Sequence, residues 1–349
     1  MSLTSQLADP ASPLSCFLDR VFPRLDSVAA KALAQLSPTP QAVPDRGTFT
    51  PWATTGTAID HRLRLAFTPC AVPAAHQPET AIWCNPITTG IEIAADTAAC
   101  HAADPRSSSR LHAAATQQAS RRWQRIATLG QALAARLGQM AARTCPHENA
   151  DLVLQDPDEA EMCRMCYAGA WFDELAHRPG EDHKILNFIG ENDFKNLDEV
   201  LAVVPRRAID DMVRLAGLAA RSDLGVIRAR IHPSEVTAGP LFAGGGDIGG
   251  ADGDLIIAGT LIDIKTTMHP HRQLPAGLRQ LLGYLLLDYD DWHAITGIGL
   301  YLARQGKLCT WELAELLPSL GTTTPLQILR SHCAEILRDS GGDSSVSAG

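Results

Sequence analysis

The segment GGADGDLIIAGTLIDIKTT, from Gly249 to Thr267, places charged residues among runs of apolar ones. Three aspartates and one lysine fall within fourteen of its residues, namely Asp252, Asp254, Asp263 and Lys265. The apolar runs LII and TLI between them are typical of buried strands. Burying a charge is costly unless the charge is paired or binds a metal. The segment is therefore either a hairpin with one polar face or a functional site.

The position of the turn decides which charged residues face each other. Ala258-Gly259 separates the two apolar runs and predicts a tight turn between antiparallel strands. A turn there would place Asp254 opposite Asp263, whereas a turn at Gly259-Thr260 would place Asp254 opposite Lys265. With either turn, alternation along the strands would put all the charged side chains of the segment on one face.

That charged face predicts metal-assisted chemistry. Opposed carboxylates lie about 5 Å apart at Cβ and destabilise a hairpin unless they are neutralised. A divalent cation neutralises them, and ligand sets made of oxygen suit Mg²⁺ or Mn²⁺. Lys265 would share the face and could hold a water or a phosphate oxygen, as hydrolysis of a phosphodiester needs. The other interpretation is a solvated hairpin face with an Asp–Lys ion pair.

Two further segments extend the pattern. Gln280 and Tyr284 are four residues apart on a predicted helix, so they share one face of it. Nearer the N-terminus stands GTAIDHRLR, residues 56–64. With these segments the chain resembles the RecB-type nucleases of the PD-(D/E)XK superfamily. Their pattern is a helix with G-T-x-x-H, a G-x-x-D loop, a D-x-K strand and a Q-x-x-x-Y helix, in that order.

The resemblance assigns roles by position. Gly249–Asp252 fits the loop and Asp263–Lys265 the strand. The histidine position of the first helix holds Asp60, and His61 follows it. The implied catalytic residues are Asp252, Asp254, Asp263, Lys265, Gln280 and Tyr284. The implied ligands of Mg²⁺ or Mn²⁺ are Asp252, Asp254, Asp263, Asp60 and His61, with the choice between Asp252 and Asp254 left open. The residues expected to contact nucleic acid are His269, His271, Arg272 and Arg279.

The resemblance also implies an α/β fold with a PD-(D/E)XK nuclease-like core, a central mixed sheet flanked by helices, and a large helical insertion. The expected organisation is N-terminal helices with the first core helix over 1–69, a mainly helical insertion over 70–235, the nuclease core over 236–338 and a disordered tail over 339–349. Within it, residues 70–108 read as irregular, and a helix is expected over 275–290 with Pro275 in its first turn.

Composition limits the remaining possibilities. The formal net charge is −9, so contact with DNA must come from a local basic patch. Nine cysteines argue for free thiols or a metal site over a disulfide framework, and a structural zinc at Cys145, His147, Cys163 and Cys166 is one possibility. No run of apolar residues predicts a membrane span, and no secretory signal is recognised, so a cytoplasmic location is expected.

Three functions follow from these observations. The first is a metal-dependent nuclease that hydrolyses DNA phosphodiester bonds by in-line attack of water. The second is a catalytically inactive module that keeps the fold and binds nucleic acid or protein, which the acidic net charge and Asp60 at the histidine position favour. The third is a nuclease subunit that depends on a partner protein, from a repair or defence system, to bind DNA.

Overall fold

The computed structural model describes residues 3–36, 40–44, 52–67, 85–103, 110–143 and 151–342. These residues divide into two units. The described residues up to 43 and from 218 onwards form a mixed α/β unit, and those from 44 to 217 form a helical unit. The division differs from the expected boundaries, because residues 52–67 belong to the helical unit and 218–235 to the mixed unit.

Helices dominate the described part of the chain. In chain order they are α1 (Leu3–Ala8), α2 (Pro13–Val21), α3 (Leu25–Leu36), α4 (Trp52–Phe67), α5 (Asn85–Ala102), α6 (Arg110–Arg143), α7 (Asp158–His177), α8 (Lys184–Glu191), α9 (Leu197–Leu201), α10 (Arg206–Ala220), α11 (Asp223–Arg228), α12 (Gly245–Ile248), α13 (Pro270–Leu287), α14 (Leu313–Ser319) and α15 (Leu326–Gly342). The strands are β1 (Val236–Ala238), β2 (Leu255–Ile257), β3 (Thr260–Lys265), β4 (Gly297–Leu302) and β5 (Lys307–Glu312). Of the helices described, none has the length and apolar character needed to cross a membrane.

The strands form one mixed sheet in the order β1-β2-β3-β4-β5. β1, β2 and β3 pair antiparallel, β3 and β4 pair parallel, and β5 closes the sheet antiparallel to β4. Parallel neighbours need a long crossover connection, and α13 provides it between β3 and β4. The expectation of an α/β fold with a mixed sheet flanked by helices is met at this level.

The β2–β3 turn is at Ala258-Gly259, the first of the two expected positions. Leu255 pairs with Ile262 and Ile257 with Thr260 across it. Both turn residues have positive φ, 47° for Ala258 and 78° for Gly259. Positive φ at both central positions defines the hairpin turn whose twist matches that of the flanking strands.

Helix α13 covers one face of the sheet. Gly277 lies so close to Leu300 of β4 that a Cβ at this glycine would be 2.7 Å from the leucine side chain. Leu300 is the register partner of Asp263 on β3, so α13 lies over the face to which Asp263 belongs. Leucines of α13, including Leu278, Leu281 and Leu285, join the core between the helix and the sheet.

The helical unit is built around α4, α5, α6 and α7, which pack against one another. At Gly90 of α5 a Cβ would lie 1.9 Å from the carbonyl oxygen of Phe172, so α5 approaches α7 more closely there than any side chain would allow. The α4–α7 contact buries charges as well. Arg62 donates to both carboxylate oxygens of Glu159, at 2.8 and 2.6 Å, and the pair is almost fully enclosed.

Three expectations about local structure were wrong. Residues 85–102, expected to be irregular, form α5, which packs on α6 and α7. The helix expected over 275–290 begins at Pro270, so Pro275 lies inside it and not in its first turn. Helix α15 continues to Gly342, so the first residues of the expected tail are helical, while 343–349 lie outside the described residues.

Candidate active site

Strand β3 carries an acid and a base on the face covered by α13. The Nζ of Lys265 lies 2.9 Å from Oδ1 and 2.7 Å from Oδ2 of Asp263. Asp263 is only 1% exposed, and Lys265 is half-buried. The interpretation of a solvated hairpin face is therefore wrong for Asp263. The carboxylate is a buried anion, and the ammonium group beside it offsets part of the cost of burial.

Asp254 reaches the same region from the loop before β2. The β2–β3 ladder ends at Leu255 and Ile262, and the next backbone N–H of β3, that of Ile264, donates to Oδ2 of Asp254 at 2.6 Å. The backbone of Asp254 turns to the other side, where its carbonyl accepts from the N–H of Gly239 at 2.9 Å. This bond and the bridge between Leu241 and Asp252 continue the register of β1 with β2. Only the ladder with β3 stops at Leu255, so it does not include the expected pair of Asp254 opposite Asp263.

Asp252 is held by a glycine-rich loop. It forms an isolated antiparallel bridge with Leu241 and is half-buried. The loop turns through Gly249 and Gly250, whose φ angles of 77° and 132° are ones that residues with side chains rarely adopt. The two glycines thus end α12 and turn the chain back toward the sheet, so that Asp252 can pair with Leu241.

Gln280 and Tyr284 of α13 complete the cluster. Nε2 of Gln280 donates to the Tyr284 hydroxyl at 2.9 Å, so the expected shared face is confirmed. Burial raises the pKa of Tyr284 well above its ordinary value, and the negative charges of Asp263, Asp254 and Asp252 raise it further. Three carboxylates thus act on one buried hydroxyl, which stays protonated and can donate. The structure brings together all six residues expected to be catalytic.

The donor set fits a hard divalent cation. The three acids offer only oxygen atoms, which Mg²⁺ and Mn²⁺ prefer. Among the residues that the structure describes, no group of three or more His, Cys, Asp or Glu side chains is closely arranged around one point as a ready metal cage. Mg²⁺ typically uses one or two carboxylates and completes its shell with water and substrate phosphate, so an open pair of acids is adequate.

The residues expected to contact nucleic acid separate into two groups. His269, His271 and Arg272 are exposed at the start of α13, directly after β3, and the two imidazole rings lie 5.9 Å apart. Arg279 has a different environment. Its guanidinium donates to the carboxylate of Asp19 and to the carbonyl of Ser15, and so ties α13 to α2. Arg279 thus has a structural task that the sequence did not indicate.

Asp60 and His61 lie on α4 in the helical unit. Nε of Arg64 donates to Oδ1 of Asp60 at 2.8 Å, one turn along the same helix. Nε2 of His61, which is fully buried, lies 3.0 Å from Oδ2 of Asp173. The carboxylate of Asp173 also faces His177 at 3.0 Å. Both expected ligands therefore have partners within their own unit.

Two of the four expected zinc ligands lie among the described residues. Cys145 and His147 lie outside the described residues, while Cys163 and Cys166 are buried on α7. Burial raises the pKa of Cys166 to about 12 and that of Cys163 well above its usual value. A zinc ligand must be a thiolate, so zinc would have to displace the protons of both thiols when it binds. Zinc binding remains a prediction.

Sequence reasoning missed the aromatic support of the site. Phe242 stacks on Tyr284 with ring centroids 5.1 Å apart, and His293 packs edge-on against Phe242 at 5.2 Å. No spacing rule links these residues, because they come from three separate segments. The only local signal was that Phe242 lies two residues before Gly244, where the glycine-rich segment begins. A scan against models of protein families, a search of curated proteins and a search of solved structures found no match to this chain.

Proposed function

We propose that this protein is a Mg²⁺- or Mn²⁺-dependent nuclease that hydrolyses phosphodiester bonds of DNA, with a mixed α/β unit of the PD-(D/E)XK type. The observation that carries the proposal is the buried Asp263–Lys265 pair on β3, beside which Asp254 accepts from the N–H of Ile264. Tyr284 of α13 lies near enough for the charges of Asp263, Asp254 and Asp252 to raise its pKa. A solvated hairpin face would not bury the carboxylate of Asp263, and neighbouring carboxylates destabilise a hairpin unless they are neutralised.

The topology adds support. The charged strand β3 leads directly into α13, which returns to the parallel strand β4 and carries Gln280 and Tyr284. This is the succession of D-x-K strand and Q-x-x-x-Y helix on which the resemblance rests. The mixed sheet with α13 packed on it agrees with the core expected for such nucleases.

Each residue has a distinct task in the proposed reaction. Asp263 and Asp254, with Asp252 beside them, would hold the ion. A bound Mg²⁺ supplies charge neutralisation at the phosphate and lowers the pKa of a water ligand. Lys265 would donate to the attacking water or to a phosphate oxygen. Tyr284, kept neutral by its surroundings and fixed by Gln280, would donate to the phosphate without adding negative charge.

The phosphodiester is cleaved when water attacks phosphorus in line with the leaving oxygen. A new P–O bond forms, the bond to the leaving oxygen breaks, the attacking water gives up one proton to solvent, and the leaving oxygen takes up one proton from solvent. His269, His271 and Arg272 are exposed beside the end of β3 and would contact neighbouring phosphates. Arg272 adds a positive charge and the two imidazoles add hydrogen-bonding groups at this place, where a chain of net charge −9 needs a local patch that attracts DNA.

A cleavage assay with a matched pair of variants tests the proposal. Single-stranded, linear duplex and circular DNA are incubated with Mg²⁺ or Mn²⁺ and with wild type, Lys265→Ala or Lys307→Ala. Lys307 is an exposed lysine of β5 in the same unit and serves as the control. We expect the control to cut like wild type and Lys265→Ala to lose about a hundredfold in rate. The proposal would be overturned if wild type left all three DNA substrates intact in Mg²⁺ and also in Mn²⁺.

A non-catalytic binding module is the second candidate, and one observation favours it. Asp263 and Asp254 have partners that do not require an ion, since Lys265 lies against the first and the N–H of Ile264 donates to the second. The melting temperature separates the two functions. A nuclease that binds its ion in the folded state is stabilised by it, whereas a binding module shows no Mg²⁺-dependent change in melting temperature.

A further inference from the structure

The loop between α13 and β4 holds an unusual backbone conformation. Asp291 and Ala294 both have positive φ, 55° and 45°, although neither is glycine. Left-handed conformations are strained for residues with a Cβ and persist only where the surrounding structure imposes them. The two strained residues bracket Trp292 and His293.

Buried contacts fix the start of this loop. Arg330 of α15 is 1% exposed, and its guanidinium donates to the carboxylates of Asp288 at 3.1 Å and Asp291 at 2.6 Å. It also donates to the carbonyl of Leu285 at 3.0 Å. The backbone N–H of Asp291 donates to the carbonyl of Asp288 at 3.1 Å. The strained residue is thus held from both its side chain and its backbone.

The end of the loop is fixed to the candidate active site. Nε2 of His293 lies 2.8 Å from the carbonyl oxygen of Leu241, the residue that bridges Asp252. The ring of His293 packs on Phe242, which stacks on Tyr284. The loop is therefore joined to the acid cluster through two short chains of contacts.

Between these anchors the loop presents Trp292, which is 57% exposed. Leu241, its neighbour through His293, is also exposed, at 44%. A single exposed apolar residue needs no explanation. Trp292 needs one, because it is a large aromatic residue on a loop that is anchored at both ends and has an unfavourable backbone conformation. Backbone strain of this kind concentrates at ligand-binding sites.

We propose that Trp292 is a stacking platform for an unpaired nucleobase, and that the site therefore prefers single-stranded DNA. The proposal rests on the nuclease function proposed above and names its substrate class. In a duplex both faces of an internal base are covered by neighbouring base pairs. Only an unpaired base offers a free face to an aromatic ring, and such stacking works with any base.

The matched control is Trp52, which is 51% exposed on α4 of the helical unit. Binding of a labelled oligothymidylate and of a labelled duplex is measured by fluorescence anisotropy in EDTA, so that no cleavage occurs. We expect Trp292→Ala to weaken binding of the single strand about tenfold and Trp292→Phe to weaken it less. Duplex binding should not change, and Trp52→Ala should bind like wild type. Thermal melts show whether each variant is folded.

Cleavage by the same variants separates this proposal from the nuclease function. If wild type cuts DNA but Trp292→Ala binds and cuts single strands equally well, the platform is overturned and the nuclease stands. If wild type binds single strands through Trp292 but cuts nothing, the platform stands and catalysis fails. If wild type neither binds nor cuts, both fail. If Trp292→Ala instead abolishes self-association in light scattering while single-strand binding is unchanged, the ring contacts protein and the platform is overturned.

Discussion

Ile264 donates its backbone N–H to the carboxylate of Asp254, with 2.6 Å between the nitrogen and Oδ2. The bond takes the place of the backbone carbonyl that β2 would have offered if the ladder had continued beyond Leu255 and Ile262. Asp254 thereby has two tasks. It ends the pairing of β2 with β3, and it adds one of the negative charges that act on Tyr284.

Substitution of Asp254 should separate these two tasks. Asp254→Ala leaves the N–H of buried Ile264 without its acceptor, which costs about 1–3 kcal/mol of the free energy of unfolding. Asp254→Asn keeps an oxygen that can accept the bond, so we expect a much smaller loss of stability. Both variants remove the charge and should lose cleavage. Urea unfolding and the Mg²⁺-dependent cleavage assay measure the two effects. If Asp254→Asn lost as much free energy of unfolding as Asp254→Ala, the charge of Asp254, and not its hydrogen-bond acceptor, would support the fold.

Tyr284 should contribute to the loss of stability at alkaline pH. Its pKa is raised in the folded protein by burial and by the three aspartates, so the folded state keeps the phenolic proton after the unfolded chain begins to lose it. The stability linked to this group is fully present below about pH 10, the ordinary tyrosine pKa, and is lost as the pH rises above it.

Tyr284→Phe removes this contribution because phenylalanine has no proton to lose. We expect the free energy of unfolding of the variant to fall less steeply between about pH 10 and pH 11 than that of wild type. Chemical unfolding at a series of pH values gives both slopes. Equal slopes would mean that Tyr284 titrates alike in the two states, which contradicts its burial among the acids.

The hairpin turn offers a stabilising change. Ala258 has a φ of 47° and is exposed, and a left-handed conformation is unfavourable for alanine. Asparagine tolerates it and is favoured before glycine in this kind of turn. We expect Ala258→Asn to raise the free energy of unfolding by about 0.5–1 kcal/mol. Ala276→Asn on the exposed side of α13 is the control, and it should cost about 0.5 kcal/mol through lower helix propensity. A loss of stability at both positions would contradict the turn geometry.

Local patterns in the sequence were sufficient to predict the hairpin and the Gln280–Tyr284 pair. Apolar runs around Ala258-Gly259 indicate the hairpin and leave two registers open, of which the structure adopts the one with its turn at Ala258-Gly259. A spacing of four residues gives the shared helix face. Helix starts were harder to predict. Pro275 removes one donor from α13, but the carbonyl of His271 that loses it lies in the first turn at an exposed residue, so the helix can begin earlier.

Interactions between distant segments account for what the sequence did not reveal. Helix α5 contains glycine, threonine and isoleucine, which are poorer helix formers than alanine, yet packing against α6 and α7 stabilises it. The bond from the N–H of Ile264 to the side chain of Asp254, which ends the β2–β3 ladder at Leu255, has no local signal. The anchoring of Arg279 to Asp19 depends on a residue 260 positions away. The strained loop around Trp292 likewise depends on Arg330.

The ion itself should stabilise the mixed unit. A ligand that binds only the folded state adds free energy that grows with its concentration, about 2.7 kcal/mol at a hundred times the dissociation constant. We expect Mg²⁺ or Mn²⁺ to raise the melting temperature of wild type in proportion to the logarithm of its concentration. Asp263→Asn should abolish this response, because it removes the charge of the most buried acid in the cluster.

The control must separate specific binding from general effects of salt. Asp339→Asn removes an exposed aspartate of α15 in the same unit and should respond to Mg²⁺ like wild type. Asp263→Asn also removes the ion pair with Lys265, so its melting temperature without metal is expected to differ from that of wild type. The informative quantity is therefore the change that the ion produces in each protein. An equal change in all three proteins would show that Mg²⁺ acts through ionic strength, and the acids would then hold Lys265 and the N–H of Ile264 without binding a metal.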